Sequence, residues 1–135
     1  MPPAEVRFGY TILYVRDAAA SLDFYQRAFG LKRRFLHESG QYGELETGQT
    51  TLAFATYELA ASNLPGVFRP AAAESTSPGF EVCLVAEDVP EGYERAIREG
   101  ATPVSEPHRK PWGQEVAYVG DPDGTLIEIA TPTGA

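Results

Sequence analysis

A chain of 135 residues with 43% hydrophobic composition is long enough for one domain with a real core and too short for two domains with separate cores. Its 19 acidic residues outweigh 11 basic ones for a net charge of −8, and no basic run extends beyond Lys32-Arg33-Arg34, which excludes nucleic acid as an expected partner. The one cysteine cannot form an internal disulfide, and neither a charged start with an apolar stretch nor a run of ~18 apolar residues occurs, so neither secretion nor membrane insertion is expected and the cytoplasm is the expected compartment.

Tyr10–Val15 is apolar throughout, as in a strand buried on both faces. Asp17 ends it, and either Asp17 or Ser21 is placed to cap a helix in which Leu22, Tyr25, Ala28 and Phe29 recur at helical spacing. Gly30 supplies the stop. Strands are expected over 31–38, 42–46 and 50–57, with Gly40 and Gly48 turning the hairpins. The Lys32-Arg33-Arg34 triplet opens the first of these and is a solvated strand end with no assigned function. Residues 58–78, rich in Ala, Ser and Pro, form a linker with one helical turn near 59–63. A strand over 80–87 and a helix over 90–99, with Pro90 in its first turn, come next. Strands near 102–105, 114–119 and 125–130 complete the chain, and Asp121-Pro122-Asp123-Gly124 is a tight turn.

The order of elements is stated twice, offset by roughly seventy residues. The strand ending in Asp17 answers the one ending in Asp88, Gly30 answers Gly100, and Tyr42-Gly43 answers Trp112-Gly113. The stretch TTLAFAT at 50–56 answers TLIEIAT at 125–131. Superposing the halves pairs Tyr10 with Glu81 and Phe54 with Glu128, and these four side chains are expected to converge. Strand alternation puts Glu128 on the face opposite Ile127 and Ile129, and the same parity groups Glu81 with Cys83. Cys83, inside an apolar strand, is read as a small packed residue and not as a nucleophile. His37 and His108 fall outside the converging positions and are left out of the site.

The residues Val15-Arg16-Asp17, Ser21-Leu22-Asp23-Phe24-Tyr25, Phe29-Gly30-Leu31, Trp112-Gly113 and Asp121-Pro122-Asp123-Gly124 followed by Ile127-Glu128 resemble the vicinal oxygen chelate superfamily. That group includes glyoxalase I, the extradiol dioxygenases and the fosfomycin and bleomycin resistance proteins. The resemblance implies an α+β fold of two tandem βαβββ modules, forming a curved mixed sheet around a cleft, and a homodimer. A single domain over residues 1–135 is expected, with module one at about 8–57, the linker at about 58–78 and module two at about 79–131. The resemblance also places a metal site on the first and last strands of each module, here Tyr10, Phe54, Glu81 and Glu128. Phe54 has no lone pair, and a phenol with a pKa of about 10 is a poor ligand near neutrality, so neither the usual transition-metal set nor two histidines with a carboxylate is present.

Two carboxylates sharing a partly dry space repel unless a hard divalent ion, a shared proton or a cationic ligand intervenes. Trp112, in Lys110-Pro111-Trp112-Gly113-Gln114, either packs at a hairpin or offers a flat face for cations and planar rings, with Tyr42-Gly43 as its mirror image. The expected function is binding of a planar or cationic organic small molecule by Tyr10, Phe54, Glu81, Trp112 and Glu128, with no cofactor and without the usual transition metal. One alternative is a metal-assisted, glyoxalase-like lyase holding a divalent ion on Glu81 and Glu128. Another is a structural or regulatory dimer with a vestigial cleft.

Overall fold

The computed structural model describes residues 5–66 and 79–132. The first module runs β1 (Tyr10–Val15), α1 (Ala18–Phe29), β2 (Lys32–Leu36), β3 (Tyr42–Glu46) and β4 (Thr51–Thr56), and α2 (Tyr57–Asn63) follows it. The second runs β5 (Val82–Val85), α3 (Val89–Arg98), β6 (Thr102–Arg109), β7 (Glu115–Gly120) and β8 (Leu126–Ala130). Residues 67–78 of the expected linker lie outside the described residues, and its beginning is the helix α2 rather than a single turn.

Each module makes its own four-stranded mixed sheet, in the order β1-β4-β3-β2 and β5-β8-β7-β6. The first and last strands of each module pair in parallel and the others antiparallel. The fold is α+β with two tandem βαβββ modules, as the sequence implies, but the strands form two sheets and not one continuous sheet. Both main helices start on an aspartate: Asp17 accepts from Ala20 N at 3.1 Å and Asp88 from Glu91 N at 3.1 Å, each filling a donor that the first turn leaves open. Gly30 closes α1 in the left-handed conformation, φ 70°.

One face of each sheet carries the helices. Leu13, Val15, Leu52 and Phe54 from the first sheet join Ala117, Val119, Ile127 and Ile129 from the second in one buried cluster with Leu22, Phe24 and Tyr25 of α1 and Ala96 of α3. Burying each of the larger side chains contributes about 1.5–3 kcal/mol. Helix α1 lies so close to β3 that a Cβ on Gly43 would stand 2.6 Å from Leu22 Cδ1, which leaves glycine the one residue that fits without a shift.

The modules are joined through the turn between β7 and β8. Tyr25 Oη of α1 donates to Asp121 Oδ2 at 2.7 Å, while Asp121 Oδ1 accepts from the backbone N–H groups of Asp123 and Thr125 at 2.9 and 2.8 Å. Asp123 accepts from Arg16 N at 3.1 Å, Ser21 Oγ at 3.5 Å and Tyr57 Oη at 3.4 Å. The turn motif is therefore also the clasp between modules: Asp121 Oδ2 and both carboxylate oxygens of Asp123 take donors from the other half, while Asp121 Oδ1 is served within the turn. Helix α1 meets α3 at a second joint, where Arg95 Nε donates to Arg27 O at 2.9 Å and Arg27 Nη1 to Glu99 Oε1 at 2.8 Å.

Candidate functional site

The face of each sheet turned away from the helices is the open one. In the second sheet the register sets Cys83 of β5 opposite Glu128 of β8, and Glu128 opposite Tyr118 of β7. Alternation then adds Glu81 and Val85 to that face. The Glu81 and Glu128 carboxyl groups lie close enough for a hydrogen bond between them, which a shared proton would supply. That bond, partial burial and the charge of Glu128 push the Glu81 carboxyl up to about 7, and the nearby Lys110 ammonium pulls it back. Lys110 itself lies over the Tyr118 ring, 5.8 Å from its centroid. Burial, then the charge of Glu128, raises the Tyr118 phenol. Burial and the same two carboxylates push the Cys83 thiol up to about 11, so it is no thiolate nucleophile near neutral pH. Cys83 is exposed, contrary to the expectation of a packed residue.

The first sheet presents Tyr10, Ile12 and Tyr14 of β1, all exposed, beside Ala53 and Ala55 of β4. Next to them is a network that the sequence did not reveal. Arg34 Nη1 donates to Glu44 Oε1 at 2.9 Å and to Thr51 Oγ1 at 3.2 Å, Arg34 Nη2 to Glu46 Oε2 at 2.7 Å, and Tyr42 Oη to Glu44 Oε2 at 2.7 Å. Glu44 is buried and fully served by these donors. Partial burial, the bond to Glu44 and the proximity of Tyr10 raise the Tyr42 phenol. The basic triplet therefore includes an internal counter-ion; it is not merely a solvated strand end.

Of the five side chains expected in the ligand site, the structure brings Glu81 and Glu128 together, sets Trp112 on the turn that leads into the same sheet, and places Tyr10 and Phe54 elsewhere. Phe54 has 0% exposure and lies on the helix face, its ring 4.9 Å from that of Tyr25. The pairing of Phe54 with Glu128 is off by one residue. Ile12 opposes Ala53 as Cys83 opposes Glu128, so Ala53 is the counterpart of Glu128 and Phe54 that of Ile129. Tyr10 is exposed on the first sheet, next to Tyr42. Trp112 stands on the turn between β6 and β7. Tyr42-Gly43 is not its mirror image, because Tyr42 belongs to β3 and corresponds through the ladders to Val116. His108, left out of the site, lies on β6 with its ring 6.4 Å from Tyr118, at the margin of the same face.

A groove of about 300 Å³ runs along the seam where the edge strands of the two sheets approach, bordered by Thr11, Thr47 and Thr51 on one side and Glu81, Val82 and Cys83 on the other. The first sheet contributes hydroxyls and no charge to it. The metal that the resemblance implies does not fit these donors. Ala53 and Tyr10 occupy two of the four positions, and among the described residues no group of three or more His, Cys, Asp or Glu side chains is arranged to hold an ion.

Two mixed βαβββ sheets with helices on one face and open faces on the other define the fold class of paired-module cleft proteins. The family model of the glyoxalase/bleomycin resistance protein/dioxygenase superfamily matches residues 7–129, and the chain belongs to that superfamily. The uncharacterized protein YraH of Bacillus subtilis (strain 168) is 30% identical over 118 residues, 87% of this chain and 91% of that protein. A glyoxalase/bleomycin resistance protein/dioxygenase family enzyme from Burkholderia phytofirmans PsJN superposes with a TM-score of 0.76 at 23% identity, over 91% of this chain and 96% of that one. TioX from Micromonospora sp. ML1 superposes with a TM-score of 0.69 at 22% identity, over 93% and 98%. At these identities the structural matches establish the fold alone. Among the described residues no helix is long and apolar enough to cross a membrane.

Proposed function

We propose that this chain binds a planar, cationic organic molecule against the open face of the second sheet, as a homodimer and without a transition metal. The observation that carries the reading is the Glu81–Glu128 pair, two carboxyls held in contact beside Tyr118 and Cys83 with Lys110 as the cation set near them. A ligand cation replaces the proton between them, and an aromatic ring attached to it finds Trp112 and Tyr118 as stacking partners. The exposed Tyr10, Ile12, Tyr14 and Phe35 of the first sheet support the dimer, since a second copy would cover them. A lyase using a hard divalent ion on Glu81 and Glu128 is the weaker reading, because the donor set falls short.

The test is a thermal-shift and calorimetric comparison of proflavine, a planar cation, with S-hexylglutathione, an anion, on the parent, Glu128→Gln and Trp112→Ala. Proflavine is expected to bind the parent, and Glu128→Gln to weaken it by about 1–3 kcal/mol, the range for a charged hydrogen bond. Excess zinc, nickel or manganese is expected to leave the midpoint where a chelator leaves it. Preferential binding of the glutathione conjugate, a stoichiometric ion raising the midpoint by many degrees, or light scattering at the 14.7 kDa of one chain would each overturn its part of the reading.

A further inference from the structure

The turn between β6 and β7 is closed by two backbone bonds and braced by one arginine side chain. Lys110 N donates to Gln114 O and Gly113 N to Lys110 O, both at 2.8 Å, and Arg109 Nη1 donates to Gly113 O at 2.7 Å. Gly113 adopts φ 93°, which lets the chain fold back there. On this braced turn stands Trp112, 67% exposed. Burial does not explain its place, because an indole stabilises a fold mainly by leaving water.

The indole is nonetheless held in one direction. Its Nε1–H donates to Gln114 Oε1 at 2.9 Å, and Gln114 Nε2 donates to the backbone oxygen of Thr131, just past β8, at 2.7 Å. The two partners fix the amide: an indole N–H can only donate and a carbonyl can only accept, so one orientation of the Gln114 side chain serves both. Alternation from Val116 and Tyr118 puts Gln114 on the open face. The side chain thus links an exposed aromatic ring to the end of the strand that carries Glu128.

We propose that Gln114 is a positioning residue of the ligand site, locking the Trp112 indole into one orientation at the rim of the open face as a preformed stacking surface for a flat aromatic ligand. The inference rests on the ligand-binding reading above. A ring already fixed loses less freedom when the ligand arrives, so the gain is in affinity and not in fold stability. Lys110, on the same turn, is carried back over Tyr118 by that bracing and keeps a cation beside the acid pair.

Trp112 is the only tryptophan in the chain, so indole fluorescence reports on it alone. Gln114→Leu removes both bonds, while Gln114→Glu keeps the acceptor for the indole and loses the donor to Thr131. Time-resolved anisotropy and proflavine titration are measured on the parent, both variants, Trp112→Ala and the Gln114→Leu/Trp112→Ala pair. In Gln114→Leu the fast local depolarisation is expected to grow and proflavine affinity to fall about 3- to 10-fold, with the far-UV spectrum retained and Gln114→Glu lying between. In the Trp112→Ala background Gln114→Leu is expected to cost nothing more. Unchanged anisotropy in Gln114→Leu, a looser indole with unchanged affinity, or an affinity loss that persists without Trp112 would each overturn the proposal. Failure of proflavine to bind the parent would instead sink the ligand-binding reading, and anisotropy alone would then decide whether Gln114 orients the ring.

Discussion

The two modules share a backbone plan and differ on their open faces. In the first, Glu44 is neutralised from within by Arg34 and Tyr42, and the strand beside it offers only Ala53 and Ala55. In the second, Glu81 and Glu128 meet each other, with Lys110 as the near cation. The helix faces hardly diverge: Phe54 answers Ile129, and Asp17 and Asp88 cap equivalent helices. Repetition has kept what folds the module, while the two open faces carry different arrangements of charge.

The comparison is broken most forcefully at the helix face. Phe54→Ala is expected to cost about 3–5 kcal/mol in a denaturant titration, the range for a buried aromatic ring. A loss below about 1 kcal/mol would put Phe54 back on the open face opposite Glu128. At the clasp, Tyr25→Phe strips Asp121 of a buried donor and is expected to cost about 1–3 kcal/mol by the same measurement. An unchanged midpoint would mean that the modules are held together elsewhere.

A proton titration sharpens the contrast between the two open faces. Glu81, raised from 4.5 to about 7, binds more protons in the folded chain than in the unfolded one between those values, so its contribution is fully present below the lower value and lost as pH rises through the upper. Glu128→Gln removes a neighbouring charge and returns Glu81 toward its ordinary value, so the variant's stability profile is expected to be flatter across that window. Parallel urea-midpoint profiles for parent and variant would show that the carboxyls do not share a proton. The smallest effect belongs to Trp112→Ala, expected to change stability by no more than about 0.5 kcal/mol.

The repeat, the helices with their aspartate caps and the order of strands were legible because apolar periodicity, caps and glycine stops are local signals. The placement of Phe54 was not. Every residue of β4 is buried, so its sequence shows no alternation between faces, and a slip of one residue moves each side chain to the other side. The Arg34 network escaped for a different reason. A register shift between Arg33 and Phe35 breaks the alternation of β2, and the partners come from two other strands. The opposed charges of Lys32-Arg33-Arg34 and Glu44-Leu45-Glu46 on neighbouring hairpin strands were the available signal. Strand β6 runs to Arg109, past the expected end near Ser105 and through Pro107, which its place at the sheet's edge tolerates. The carboxyl pair was found because Glu128 sits between two buried isoleucines, a pattern that leaves its direction in no doubt.

Gly43 has a consequence that reaches beyond its own strand. A Cβ there would stand 2.6 Å from Leu22 Cδ1, so the first sheet meets α1 at this point through a glycine and the tip of one leucine side chain. Three residues along that helix, Tyr25 must reach Asp121 at 2.7 Å in the other module. A methyl group at position 43 would displace the Leu22 side chain, and in a close-packed core part of that strain would pass along α1 toward the joint between the two halves.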